Sequence, residues 1–250
     1  VSLLNKSHNR KEYFMDHFLS GNLSSNMINL LLIIVPAVLS LFAQFLVKST
    51  FAKYSKVQNS RNINGAQTAK LLMQINDIRD VSIQLIAGSL TDHYDPSNKV
   101  LRLSEPVYDS TSIAAVGVAA HETGHAIQHK VGYGPLVLRS TLVPIANVGS
   151  SIGPYLVIAG LASTISMLTN IGIILFAGAV AFYVITLPVE FDASWRALKN
   201  LQANNVLTHE ELQGAKKVLT AAALTYVASA LTAVLTLVRL LFIARNRRRN

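Results

Sequence analysis

His121-Glu122-Thr123-Gly124-His125 puts two imidazoles and a carboxylate within five residues. On a helix, residues four apart lie on one face, so His121 and His125 can aim ring nitrogens at a single ion. Glu122 is turned about 100° from His121, which suits a base acting on water better than a third ligand. The chemistry this set supports is metal-assisted hydrolysis: a zinc ion lowers the pKa of a bound water toward about 7 and polarises a carbonyl. The run from Ser112 to His129 is apolar and rich in small residues, so the motif is expected on a buried helix. Burying these groups unpartnered is costly, and a metal ion satisfies all of them together. A helix with hydrogen-bonded core histidines is the reading without a metal.

A catalytic zinc takes three protein ligands and leaves one position for water. The chain has no cysteine, so the third ligand must be His, Asp or Glu. His129 lies a further full turn along the helix, about 6 Å away, with no glycine to break the helix before it. It reads as a helix-end residue. Glu190, in Pro188-Val-Glu-Phe-Asp-Ala-Ser194, follows directly on an apolar segment and is expected to open a new helix at the membrane surface. Asp192 should then point away from the ion. The bland reading of Glu190 is an acid favoured by the dipole at a helix N-terminus. The expectation is therefore one Zn2+ per chain on His121, His125 and Glu190, with Glu122 as the catalytic base. An oxyanion needs a further donor, and His93 and Tyr94 are the candidates, against a reading as hairpin packing residues. A strand near Gly88 to His93 could pair with an extended substrate.

The elements that must position these residues include membrane spans. Apolar residues make up 51% of the chain and charged residues 14%. No Lys, Arg, Asp or Glu occurs between Asp16 and Lys48, between Arg139 and Glu190, or between Lys217 and Arg239. A spanning helix needs about 20 apolar residues, so the chain reads as a multi-pass membrane protein. Residues 1–26 read as a tail, 27–47 as a first span and uncleaved anchor, and 48–139 as the catalytic domain. Residues 140–188 read as a membrane hairpin turning at Thr169-Asn170, and Pro188 should end its second leg. Residues 189–217 would carry the third ligand, 218–243 would span or pack on the membrane, and 244–250 form a basic tail. Within the catalytic domain, 64–75 has a helical pattern and 80–87 alternates like an edge strand. Residues 91–104 read as two short strands joined by a turn at Asp95-Pro96-Ser97-Asn98. Ser112 or a neighbour should cap the motif helix, and Gly132-Tyr133-Gly134-Pro135 should stop it.

The net charge of +9 sits beside the apolar segments, which favours anionic lipid headgroups over nucleic acid as its partner. Lys48, Lys53, Lys56 and Arg61 follow the first span, so the catalytic domain is expected in the cytoplasm. The spans contain no charged residue to line an ion path, which argues against a transporter. A non-hydrolytic zinc-binding scaffold is the remaining alternative, and it would not require Glu122.

Several of these segments resemble a known family. Leu90-Thr-Asp-His-Tyr-Asp-Pro96, Leu101-Arg-Leu-Ser104, Ala114 to His129 and Leu187 to Ser194 are similar to the bacterial YugP-type membrane zinc metallopeptidases, from about Leu30 to Arg245. More distantly, the order of motif, hairpin and glutamate resembles the HtpX membrane proteases. The resemblance implies a mainly α integral membrane fold, with a zincin-like α+β catalytic domain joined to about four transmembrane helices. It also implies a metalloendopeptidase acting on peptide or membrane-associated protein substrates, with His121, His125 and Glu190 on zinc. The distant relatives carry an Asp four residues after the ligand Glu. Here that position is Ser194, so either Asp192 takes over its supporting role or the role is missing.

Overall fold

The computed structural model describes residues 27–245 in full; the tail expected over 1–26 and the end of the basic run over 244–250 lie outside them. The chain is mainly helical. Among the described residues, four helices are long and apolar enough to cross a membrane: α1 (Ser2–Tyr54), α5 (Gly134–Ala162), α6 (Ser166–Ala203) and α7 (His209–Arg247). Leu41, Phe42, Phe45, Tyr155, Met167 and Ile174 turn outward on these helices, as side chains facing lipid would.

Between α1 and α5 the chain forms a small α+β layer. Helix α2 (Gly65–Ile75) starts at a reciprocal cap. There the Asn64 side chain accepts from the Gln67 backbone N–H at 2.8 Å, and the Gln67 side chain accepts from that of Asn64 at 3.0 Å. Its Ala69, Leu72 and Met73 are buried, the larger two contributing about 1.5–3 kcal/mol each by area removed from water. Strands β1 (Ser82–Ile86), β2 (His93–Asp95) and β3 (Val100–Ser104) form a mixed sheet in the order β1-β3-β2. Central β3 pairs parallel with β1 and antiparallel with β2, which explains why Val100, Leu101 and Leu103 are all buried. The turn at Asp95 forms as its sequence predicts: its carboxylate accepts the N–H groups of Ser97 and Asn98, both at 3.1 Å. The strand expected from Gly88 starts only at His93. Gly88 (φ 104°) and Leu90 (φ 59°) are left-handed and interrupt the extended backbone before it.

After the short α3 (Glu105–Tyr108), helix α4 (Ile113–Lys130) carries the five-residue motif. Ser112 caps it, accepting from the Ala115 N–H at 3.2 Å. Gly132 (φ 62°) ends it beyond Val131, and Pro135 opens α5.

Two features of the hairpin differ from expectation. The turn lies at Ser163–Ile165, not Thr169-Asn170. Thr164 takes the left-handed conformation (φ 61°), and Thr169 packs on Gly160, where an added Cβ would meet the Thr169 backbone nitrogen at 2.5 Å. Close helix approach through small residues, the usual device of membrane helices, fixes this register. Pro188 does not end a helix either, because α6 runs through it without a break to Ala203. The one hydrogen bond a proline removes is tolerable in a membrane helix packed on its neighbours. Glu190 consequently sits in mid-helix, so a helix-terminal role does not apply to it.

Helix α7 joins the two layers. Ala215 and Leu219 near its start pack with Leu72, Val116 and Ala120, while Ala233 and Leu240 pack with Val157, Phe176 and Val180 of the hairpin. Ser40 of α1 hydrogen-bonds Thr232 of α7 at 3.3 Å.

Candidate metal centre

The site forms where α4 crosses α6. Gly124, inside the motif, permits the crossing: a Cβ there would lie 2.5 Å from the Ala193 carbonyl oxygen. This contact lays Glu190 over His121, three residues before Gly124, and His125, the residue after it. Glu190 Oε2 is 3.3 Å from His121 Nε2 and 3.6 Å from His125 Nε2. One ligand atom from each residue lies within 4.8 Å of the others.

These residues fit a metal ion. Glu190 is only 2% exposed, and its Oε2 is buried with no hydrogen-bond partner. An unpartnered carboxylate oxygen is expensive to bury, and a cation between it and two ring nitrogens removes that cost.

The outer partners orient the rings. His125 Nδ1 lies 3.0 Å from Gln128 Oε1, an oxygen that only accepts, so Nδ1 carries the proton and Nε2 is left with its lone pair. Gln128 Nε2 in turn donates to the Val189 carbonyl at 2.7 Å and to Asp192 Oδ2 at 2.8 Å. Asp192 also accepts from Arg196 Nε at 2.5 Å. Asp192 lies outside this cluster but is not idle: it braces His125 through Gln128. Ser194 Oγ lies 3.0 Å from His121 Nδ1, so this serine holds the His121 imidazole. Arg139 of α5 pairs with the other carboxylate oxygen, Glu190 Oε1, at 3.2 Å.

Glu122 faces a cleft of about 230 Å³ also lined by His125, Glu190, His93, Tyr94 and Arg139. Burial pushes its carboxyl above the usual range, and the neighbouring imidazoles offset this only in part. His93 and Tyr94 both reach the cleft, but each is already engaged. His93 Nδ1 lies 2.8 Å from the Thr91 carbonyl and its Nε2 lies 3.2 Å from Arg102. The Tyr94 hydroxyl lies 2.7 Å from His129 Nδ1, which keeps His129 in a pair of its own, outside the metal cluster. Burial first, then the charges of Asp80 and Asp95, push the Tyr94 hydroxyl up to about 12. It therefore remains protonated at any working pH.

Gln128, Arg139 and Tyr226 were not anticipated as site residues. For Gln128 a local signal existed, since a polar residue three positions after His125 shares its helix face. Arg139 and Tyr226, the latter from α7, reach the cleft only through tertiary packing.

Long apolar helices combined with a His-His-Glu cluster define the class as a membrane protein with a candidate metal site. Comparison with known proteins narrows this: the chain belongs to the family described as "Putative neutral zinc metallopeptidase", whose profile matches residues 29–245. It is similar to the protein named "Putative membrane protease YugP" of Bacillus subtilis (strain 168), 48% identical over 222 residues, covering 89% of this chain and 99% of that relative. No solved structure matches.

Proposed function

We propose that the chain is a zinc-dependent metalloendopeptidase of the membrane, holding one zinc ion on His121, His125 and Glu190. The unpartnered Glu190 Oε2, buried against two ring nitrogens and beside Glu122, carries this reading. Bound zinc supplies an activated water and a Lewis acid for the scissile carbonyl. Glu122 takes the proton from the attacking water as the new C–O bond forms, and then returns it to the amine as the peptide C–N bond breaks. Gln128 and Ser194 hold the imidazoles in the ligating orientation. The cleft lies against β2, an edge strand of the sheet, whose free side suits pairing with an extended peptide. The resulting arrangement is zincin-like, with the catalytic domain over residues 48–139.

The test is hydrolysis by the purified protein in detergent. A quenched-fluorescence peptide set should be cleaved internally, cleavage should stop with 1,10-phenanthroline, and about one equivalent of zinc should restore it. A zinc-loaded, folded protein that cleaves nothing would reduce the function to that of a metal-binding scaffold.

The basic residues after α1 support a catalytic layer in the cytoplasm, with substrate reaching it from the inner membrane face. A Ser97→Cys variant should resist an impermeant thiol reagent in intact cells and react after lysis, since the parent chain has no cysteine. Labelling in intact cells would reverse the orientation. Labelling of Asn250→Cys would indicate four crossings and protection three.

A further inference from the structure

The proposed hydrolysis develops negative charge on the scissile carbonyl oxygen, and a preorganised donor facing that oxygen is worth a large part of such a rate enhancement. The donors lining the cleft are few, and most are already in use. The Tyr94 hydroxyl is held at His129 and His93 is held between Thr91 and Arg102. Ser140 Oγ donates to the Leu136 carbonyl at 2.9 Å, and Arg139 is paired to Glu190. Tyr226 is the remaining hydroxyl. It enters the cleft from α7 and hydrogen-bonds the Glu190 carboxylate, the group an ion would engage. It is the one aromatic residue between Val218 and Val238, a stretch otherwise of aliphatic and small hydroxyl side chains. With Glu190 Oε1 on Arg139 and Oε2 between the two imidazoles, ion binding leaves the Tyr226 hydroxyl as the O–H donor able to turn toward a ligand.

We infer that Tyr226 is a catalytic residue of this chain, donating its hydroxyl hydrogen bond to the carbonyl oxygen of the substrate as that oxygen becomes negative. The inference rests on the peptidase reading and adds a consequence for the fold: α7 completes the active site as well as anchoring the chain. No bond to Tyr226 forms or breaks, and its proton stays on the phenol throughout.

Tyr226→Phe removes a single oxygen. Removal of one oxyanion donor typically costs about 10²–10³ in kcat, and that is the loss expected here, with KM changed less than about threefold. Zinc stoichiometry and melting temperature in detergent should match the parent protein. Independently of turnover, calorimetric affinity for a phosphonamidate analogue of the assay peptide should fall by a similar factor, because its tetrahedral oxygen mimics the charged carbonyl. Tyr183→Phe, on α6 outside the cleft lining, should leave that affinity within about threefold. If Tyr226→Phe does not fold, the same comparison on Tyr226→His, which displaces the donor but keeps a polar ring, should give a loss in the same direction.

Unchanged kcat and phosphonamidate affinity in a zinc-loaded Tyr226 variant would overturn the inference. So would transfer of the whole effect to Tyr94→Phe, or loss of zinc from Tyr226→Phe, which would make Tyr226 a brace for Glu190. An inactive Glu122→Gln beside a fully active Tyr226→Phe would leave the peptidase reading standing and remove this inference alone.

Discussion

Glu122→Gln is expected to bind one zinc per chain and fold normally, yet cleave the assay peptide about 10²–10⁴-fold more slowly than the parent protein, the range typical for loss of a general base. Glutamine has the same shape and volume, so the crossing of α4 and α6 at Gly124 is undisturbed. Glu122 is not among the three residues that converge on the ion site, and the partners that orient His121 and His125 are Ser194 and Gln128. What the substitution removes is the capacity to accept a proton. Because the loss falls on the chemical step, kcat and kcat/KM should fall together while substrate affinity persists. Zinc content by atomic emission, with single-turnover cleavage, separates the outcomes. Near-normal cleavage with full zinc would sink the general-base role and with it the mechanism proposed here.

How far the site can be read from sequence follows from how local each contact is. The motif histidines share a face through helix geometry alone, and five residues suffice to state it. Ser112 and Gly132 mark the ends of α4 by equally local rules. Glu190 was identified by the wrong route. The argument required Pro188 to end a span and a new helix to start, whereas α6 continues through the proline and presents Glu190 from its middle. The residue survived because a hairpin of either geometry returns to the side from which it left. Asp192 illustrates the limit of reasoning from one helix. Two residues on from Glu190 it does turn away from the ion, but it turns toward Gln128 of α4, and only the packing of the two helices shows that. The misplaced hairpin turn has a related cause. The segment lacks charge, and both Ser163-Thr164 and Thr169-Asn170 offer polar residues, so the choice fell to glycine contacts between α5 and α6 that composition does not encode. Tyr226 lay furthest from view. Its helix is legible in the sequence only as a spanning or membrane-packed segment, and its place in the cleft depends on α7 packing against α4 along its first half.

The second large effect is expected at Glu190. Glu190→Ala should lose zinc on dialysis against a weak chelator under conditions in which the parent protein keeps one equivalent. The carboxylate is the only ligand from α6, and its removal leaves two neutral imidazoles facing a dication beside the Arg139 guanidinium. That guanidinium loses its partner as well and adds repulsion where the ion should sit. Asp192→Ala and Ser194→Ala should behave differently. They remove orienting partners and not ligands, so each should weaken zinc by about 10–100-fold, the usual cost of an outer-shell loss, and leave a zinc-loaded enzyme at saturating metal. The ranking discriminates between assignments of the third ligand. If Asp192 were the ligand, Asp192→Ala would abolish binding and Glu190→Ala would spare it. Full zinc occupancy in Glu190→Ala would reject the cluster as drawn, because no other carboxylate oxygen joins the two histidine nitrogens within ligand range among the described residues.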